Sequence, residues 1–254
     1  MSTRTQAFVN FYAAMGSLQT YTALDSKARE LAAKQDIAVR FKVKDGPDGV
    51  LVFNKGAVKA VPYTEGMPTD IVLYCSSCDK FNDLVNGTGQ SVIPMKGFFK
   101  LGFLLKKDSA FNVLTKQMAD LMRQKEFDNE EDKKISTLLA FNAMVAGIVQ
   151  IGNVDELGRM SAKRIPDGDI GIEIKDECYC TVRAQNGILE YIPAKTEKAR
   201  SKMVFDSLAT AKGVIDGALD AMSCISTGSI AMSGFIPMLL NLNNILNLVP
   251  KYLS

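Results

Sequence analysis

The sequence predicts an α+β protein built from two copies of one domain. Three observations predict it. Helical and extended segments follow a set order: helix, hairpin-linked strands, a lone strand, a short helix, a glycine-bearing apolar strand and a closing helix. That order recurs further along the chain, with Ile170 − Val39 and Gly187 − Gly56 both giving an offset of 131. The apolar stretch beginning Ile93-Pro94-Met95-Lys96-Gly97-Phe98 also has a counterpart, Ile230-Ala231-Met232-Ser233-Gly234-Phe235, with four identities in six positions.

In the first copy, residues 5–34 read as helix, with Phe8, Phe11, Tyr12, Met15 and Leu18 at helical spacing and a second piece opening near Asp25. Val39-Arg40-Phe41-Lys42-Val43 alternates apolar and basic residues, as a strand with one buried face does. The turn residues of Asp45-Gly46-Pro47-Asp48-Gly49 lead to a second strand, Val50 to Phe53. Asn54-Lys55-Gly56 turns into a third, Ala57 to Val61, so an antiparallel meander is expected. Asp70 to Tyr74 is another strand. Ser77 to Val85 is a short helix, with Ser77 as N-cap and Gly87 as stop. The stretch from Val92 to Leu105 should supply one or two more strands, and Ser109 to Met122 a closing amphipathic helix.

The charge-rich segment 126–134 is the expected linker between domains 1–125 and 135–254. Beyond it the order repeats: helix Ile135 to Ile151, a helical piece opened by Asp155, and strand Ile170 to Ile174. Met203-Val204-Phe205 matches Ile71-Val72-Leu73 at an offset of 132, whereas Ile230 − Ile93 gives 137. About five inserted residues are therefore expected near Ala209 to Val214. A helix from Asn241 to Leu253 closes the chain.

Composition narrows the function. The 30 basic and 28 acidic residues leave a net charge of +2, no electrostatic footprint for nucleic acid. The chain has no histidine, which removes Ser-His and Cys-His nucleophiles and the commonest metal ligand. An enzyme would need a carboxylate such as Asp70 or Asp206 set in a pocket; the expectation is no catalytic activity. No secretory signal is visible, and five cysteines fit free thiols in a reducing cytoplasm. The longest apolar run, Ile230 to Val249, is broken by Ser233, Pro237 and four asparagines, so it is not expected to span a membrane. Cys75 and Cys78, with Cys178 and Cys180, offer four thiols for zinc or for redox chemistry. The pairs fall at non-equivalent places in the two copies, and Cys178 and Cys180 share a strand face as small packing residues would.

Val39 to Val43, the Asp45-Gly46 turn, Lys55-Gly56, Asp70 to Leu73, Phe81 to Gly87 and Met95 to Leu101 together resemble the sterol carrier protein-2 (SCP-2) family over roughly residues 5–122. Gly97-Phe98-Phe99-Lys100-Leu101 stands where that family has a strand of alternating lysine and aliphatic residues. The second copy departs more, with Pro237 in place of the strand lysine and Asp176-Glu177 at the first turn. The resemblance implies two domains, each a mostly antiparallel five-stranded sheet covered by helices around an apolar tunnel. It implies non-catalytic binding of a fatty acyl chain, acyl-CoA, sterol, phospholipid or isoprenoid, with no cofactor and no catalytic residue to carry over.

The expected tunnel residues in the first copy are Phe98, Phe99, Leu101, Phe103, Leu104, Leu105, Phe111, Leu114, Met118, Leu121 and Met122. In the second they are Phe235, Ile236, Met238, Leu239, Leu242, Ile245 and Leu246, with Val249 beyond them. The same residues would also serve as plain core. Twelve methionines favour adaptable apolar space. A buried sixteen-carbon chain would gain roughly 12 kcal/mol gross, at about 0.8 kcal/mol per methylene, before ordering and association costs. Lys96, Lys100, Lys106 and Lys107 could attract an acyl-CoA phosphate or an anionic membrane surface, or simply blunt a sheet edge. The expected partners are a hydrophobic small molecule, a transient membrane surface or a lipid-handling enzyme. The alternative is a scaffold protein that docks a partner through apolar C-terminal helices.

Overall fold

The computed structural model describes residues 1–89 and 92–253, so Ser254, the last residue of the expected second domain, lies outside it. The chain divides into two compact units, Met1–Ile135 and Ser136–Ser254. Each contains a five-stranded sheet with helices, the α+β class the sequence predicts.

Unit 1 opens with α1 (Thr3–Val9), capped by Ser2, whose hydroxyl accepts from the Thr5 N–H. Residues 5–34, expected as helix with a second piece opening near Asp25, are in fact five pieces, counting α1. A π segment (Asn10–Ala14) and a 3₁₀ turn (Met15–Ser17) precede α2 (Leu18–Leu24) and α3 (Ser26–Ala33). Within the π segment, the buried Asn10 donates from Nδ2 to Asn82 Oδ1 at 3.0 Å. Asp25 caps α3 by accepting from the Ala28 N–H at 2.7 Å.

The strands are β1 (Ile37–Val43), β2 (Asp48–Asn54), β3 (Ala57–Pro62), β4 (Ile71–Cys75) and β5 (Ile93–Lys96), in the order β3-β2-β1-β4-β5. In β1, Val39, Phe41 and Val43 are buried while Arg40 and Lys42 point to the other face. The β2–β3 hairpin turns through Lys55 at φ 48° and Gly56 at φ 87°, both positive, as a two-residue type I′ turn needs. The meander covers only these three strands. β4 returns beside β1 and runs parallel to it, and β5 closes the edge antiparallel. Between them α4 (Cys78–Asn86) starts at the Ser77 cap and stops at Gly87, at φ 73°. A short α5 (Gly102–Leu105) and then α6 (Ala110–Arg123) follow β5. The core lies where Phe11 and Phe81 meet Phe41, and where Phe103 stands edge-on to Phe53 at 5.1 Å.

The segment expected as linker is helical from Glu130 onward, because α7 (Glu130–Val154) begins there. Asn129 Oδ1 accepts from the Asp132 N–H at 2.7 Å, and three acidic residues occupy the first turn. A capping side chain and negative charge at the positive end of the helix turn a charge-rich stretch into a helix start. By length and composition α7 could cross a membrane, but almost all of its apolar window is buried inside the protein, as in a core helix.

Unit 2 continues with α8 (Glu156–Ala162), capped by Asp155. Its strands are β6 (Gly168–Ile174), β7 (Cys178–Gln185), β8 (Ile188–Ile192), β9 (Ala199–Phe205) and β10 (Ile230–Gly234). Read from the meander side, their order is β8-β7-β6-β9-β10, the order of unit 1 with the same pairing senses: β6 and β9 are parallel and the other pairs antiparallel. Positive φ falls at matching turn positions, Asp45 with Asp176 and Lys55 with Asn186.

The register corrects one alignment. Val39 pairs with Ile71 and Ile170 with Ser201, so Ile71 corresponds to Ser201 and Leu73 to Met203. The offset there is 130, two residues from the expected 132. A shift of two keeps every side chain on its face, so hydrophobic alternation could not reveal it. Gly234 − Gly97 is 137, so seven residues, not five, enter between these points. They are accommodated in α9 (Leu208–Ile215) and α10 (Ala221–Thr227), where unit 1 has α4 alone.

The last elements are α11 (Ile236–Leu246) and α12 (Pro250–Leu253). The closing helix thus begins five residues before the expected Asn241. Pro237 sits in its first turn, where a missing N–H costs nothing and the fixed φ is already helical.

Candidate functional site

The candidate site is the segment that leaves the last strand of each sheet, since most of the expected ligand-lining residues lie on it or just after it. Both segments begin with a glycine that only glycine could be. Gly97 has φ 83°, and a Cβ there would stand 2.2 Å from the Asp70 carbonyl oxygen. Gly234 has φ 84°, and its Cβ would stand 2.3 Å from the Arg200 carbonyl oxygen.

In unit 1 the strand ends at Lys96, so Gly97 to Leu101 is not the continuing strand that was expected. Gly97 turns the chain into a 3₁₀ turn (Phe98–Lys100) and then α5. Two lysines fasten this segment. Lys100 Nζ lies 2.5 Å from Asp70 Oδ1, and Lys96 Nζ donates to the Thr69 carbonyl at 2.5 Å. Asp70 Oδ2 accepts from the Ala38 N–H at 2.9 Å, which ties the clamp to β1. The Lys100 hydrogen bond, then the Ala38 N–H, hold the Asp70 carboxyl below its usual range. Asn112 closes the other end, donating from Nδ2 to the carbonyls of Leu104 and Lys106, each at 2.8 Å.

The side chains between these anchors do not form one lining. Phe98, Phe99 and Leu105 are exposed, as are Ile93 and Met95 before them. Leu101, Phe103, Leu104 and Phe111 are half-buried, with Phe103 seated between Phe53 and Phe111. Leu114 and Met118 are buried, while Leu121 and Met122 are half-buried on α6. Lys106 and Lys107 are exposed beside Leu105.

In unit 2 the segment folds inward. The Phe235 N–H donates to the Arg200 carbonyl at 3.1 Å, and Ser201 Oγ donates to the Phe235 carbonyl at 2.9 Å. The Arg200 guanidinium lies over the Phe235 ring, 4.9 Å from its centroid. Phe235 and Ile236 remain partly exposed, but Met238, Leu239, Leu242 and Ile245 are buried. Leu242 and Leu246 reach a cavity of about 10 Å³, whose walls also include Met144, Ile148, Met203 and Phe205. That volume holds one water, not an acyl chain. Asn243 Oδ1 lies at this cavity, buried, with no hydrogen-bond partner among the described residues.

The carboxylates and thiols considered from the sequence separate clearly. Thr210, then Ser207, hold the exposed Asp206 below the usual carboxylate range. Neither Asp70 nor Asp206 has the raised value a general acid requires. All five cysteines are free. Burial pushes the Cys75 thiol up to about 11 and raises that of Cys78. Among the described residues, no three Cys, Asp or Glu side chains gather as a metal site. The Asp70–Lys100 clamp was missed from the sequence; nothing in the spacing of two residues thirty apart announces it.

The chain matches no protein-family model and no curated protein. Among solved structures it is similar to a ubiquinone synthesis protein, UbiJ-SCP2, at 13% identity and a TM-score of 0.33, over 41% of this chain and 94% of that one. It is also similar to the stereoselective inverting sec-alkylsulfatase Pisa1 from Pseudomonas sp., at 15% identity and a TM-score of 0.32, over 58% of this chain and 26% of that one. Likeness this distant carries no argument about the site.

Proposed function

We propose that this chain binds a hydrophobic small molecule without transforming it, as a tandem pair of SCP-2-like domains. The ligand class is a fatty acyl chain, acyl-CoA, sterol or isoprenoid. One observation carries the reading. Within residues 93–105, five large apolar side chains, Ile93, Met95, Phe98, Phe99 and Leu105, are exposed on a segment pinned at both ends. Exposed apolar side chains this close in sequence are surface that a ligand or lipid contact would use. Lys106 and Lys107 adjoin it and suit the anionic head of an acyl ligand. A membrane surface, from which such a ligand would be collected, is the macromolecular partner this surface suits. Unit 2, whose corresponding segment is largely spent on its own core, serves as structural partner.

Native mass spectrometry with organic extraction, together with displacement of a fluorescent fatty acid, tests the reading. A co-purifying or displaceable hydrophobic ligand is expected. Finding neither would sink it. For the scaffold alternative, α11 buries Met238, Leu239, Leu242 and Ile245 and leaves Ile236 and Leu240 exposed to a partner.

A further inference from the structure

Unit 2 contains a polar cluster for which unit 1 has no counterpart. Cys178 and Cys180 lie two apart on β7 and point to the same side, toward α7. Asn142 on α7 touches both. Its Nδ2 donates to Cys178 Sγ at 3.5 Å and to the Leu138 carbonyl at 2.8 Å. Its Oδ1 accepts from Cys180 Sγ at 3.2 Å and from the Tyr191 hydroxyl at 2.6 Å. Burial keeps the Tyr191 phenol protonated, so it is a donor, and it fixes the Asn142 amide with the nitrogen toward Cys178.

The matching positions in unit 1 are apolar or small. By register, Cys180 corresponds to Gly49, since Ile172 pairs with Cys180 as Phe41 pairs with Gly49. Tyr191 corresponds to Ala60 through their partners Val182 and Leu51. Where Asn142 contacts Cys180, the Phe11 ring lies against Gly49, 2.2 Å from where a Cβ would be. The same layer is thus a plain aromatic contact in one unit and a thiol–amide–phenol network in the other. Packing alone does not call for that exchange, because burying polar groups costs free energy that apolar side chains avoid.

The network favours a thiolate at one place. Cys180 is fully buried, whereas Cys178 is partly exposed at the first position of β7. Cys180 has one S–H, which can turn from Asn142 Oδ1 to Cys178, because the Tyr191 hydroxyl still satisfies that oxygen. The two thiols then share one proton and titrate as a pair. Hydrogen bonding from Cys180, then from Asn142, brings Cys178 down to about 7, while Cys180 is pushed well up.

We propose that Cys178 and Cys180 form a modification site for hydroperoxides, with Cys178 as the nucleophile held by Asn142 and Cys180 as proton donor and resolving thiol. Cys178 thiolate attacks the terminal oxygen of ROOH. An S–O bond forms, the O–O bond breaks, and the departing alkoxide takes the Cys180 proton to leave as ROH. Cys178 is then a sulfenic acid and Cys180 a thiolate. Cys180 attacks Cys178 Sγ, forming S–S and expelling hydroxide, which takes a proton from solvent to become water. The two sulfurs lose two electrons and the hydroperoxide gains two. Residues two apart on a strand have Cα atoms about 6.6 Å apart, inside the Cα range of a disulfide, but their parallel Cβ atoms lie about as far apart, beyond the roughly 4 Å a disulfide needs, so the bond forms only if the backbone bends. Cys178 adjoins the Asp176–Glu177 turn, so only the end of the strand must bend.

The test uses the full reduced chain with tert-butyl hydroperoxide, dimedone as trap, and peptide mass spectrometry. Cys178 should carry the dimedone adduct, or be joined to Cys180, before Cys75, Cys78 or Cys224 reacts. Cys180→Ser should raise the dimedone adduct at Cys178 and abolish the disulfide. In a pH series of iodoacetamide alkylation, the Cys178 midpoint should lie near 7 and rise toward 9 in Asn142→Leu. Oxidation that begins at another cysteine, or a Cys178 midpoint in intact protein at the ordinary thiol value, overturns the proposal. The outcome is independent of whether a lipid binds.

Discussion

The two units leave their last strand through glycines of nearly the same conformation, Gly97 at φ 83° and Gly234 at φ 84°. At each glycine a Cβ would collide with a backbone carbonyl, that of Asp70 just before β4 or that of Arg200 in β9. The residues after the glycine separate the two units. In unit 1 they are Phe98-Phe99-Lys100, a 3₁₀ turn clamped by charge, with its aromatic rings outside. In unit 2 they are Phe235-Ile236-Pro237, a helix start that carries the apolar residues into the core. The glycine sets the direction of exit, and the next three residues decide whether the apolar surface is used for stability or left available.

The strongest way to break this comparison is at the glycines themselves. Gly97→Val and Gly234→Val should each lower stability by about 3 kcal/mol or more, from a disfavoured φ plus a backbone clash. Gly66→Ala, also at positive φ but in open space, should cost only about 1 kcal/mol. Urea unfolding of the three variants checks both the shared role and its steric origin. If Gly97 and Gly234 differ widely, the common exit geometry is not what matters.

Next comes the buried side of the comparison. Leu242→Ala should cost about 3 kcal/mol, because the side chain is fully buried and borders an existing cavity. The same denaturant series reads it, and a value near zero would mean that α11 is not docked as described.

Smaller effects concern the clamp. Asp70→Asn should cost on the order of 1 kcal/mol after solvent screening. The Asp70 carboxyl sits below its unfolded value of 3.8. Its contribution is therefore fully present above that value and is lost as pH falls through the lower folded one. Acid titrations of wild type and Asp70→Asn should converge once the pH has fallen below the depressed folded value of Asp70, where both side chains are neutral.

Smallest in stability, and most telling for function, is Phe99→Ser. Phe99 is fully exposed, so thermal or urea unfolding should move by no more than about 0.5 kcal/mol. Fatty-acid displacement should nevertheless weaken several-fold. Unchanged binding would detach the exposed segment from the proposed role.

Much of the architecture was legible because local signals and the global fold agree. Ser77, Asp155 and Asp25 cap helices where their spacing says they should, and Lys55-Gly56 makes the expected hairpin turn. Other features were hidden for identifiable reasons. Asn129 looked like one more polar residue in a linker, though it caps a helix of 25 residues. Pro237 read as a residue standing in for a strand lysine, though it lies in the first turn of a helix. The Asp70–Lys100 pair and the Asn142 network join residues far apart in sequence, and no periodicity records such contacts. The candidate site was legible as a stretch of chain but not as an inside or an outside, because Phe99 and Leu242 are both simply apolar as residue types.

The parallel pairing at the centre of each sheet has a kinetic meaning. β1 can zip with β2 and β3 through tight turns, but β4 must travel back across 63–70 before Val39 meets Ile71. Unit 2 repeats the arrangement with β6 and β9. The hairpins can therefore form early, whereas the central parallel ladder must wait for a longer loop to close. Until it does, the inner edges of β1 and β6 are unpaired and open to the wrong partner. A chain with two sheets of the same strand order carries that hazard twice, since the late strand of either could seek the vacant edge of the other.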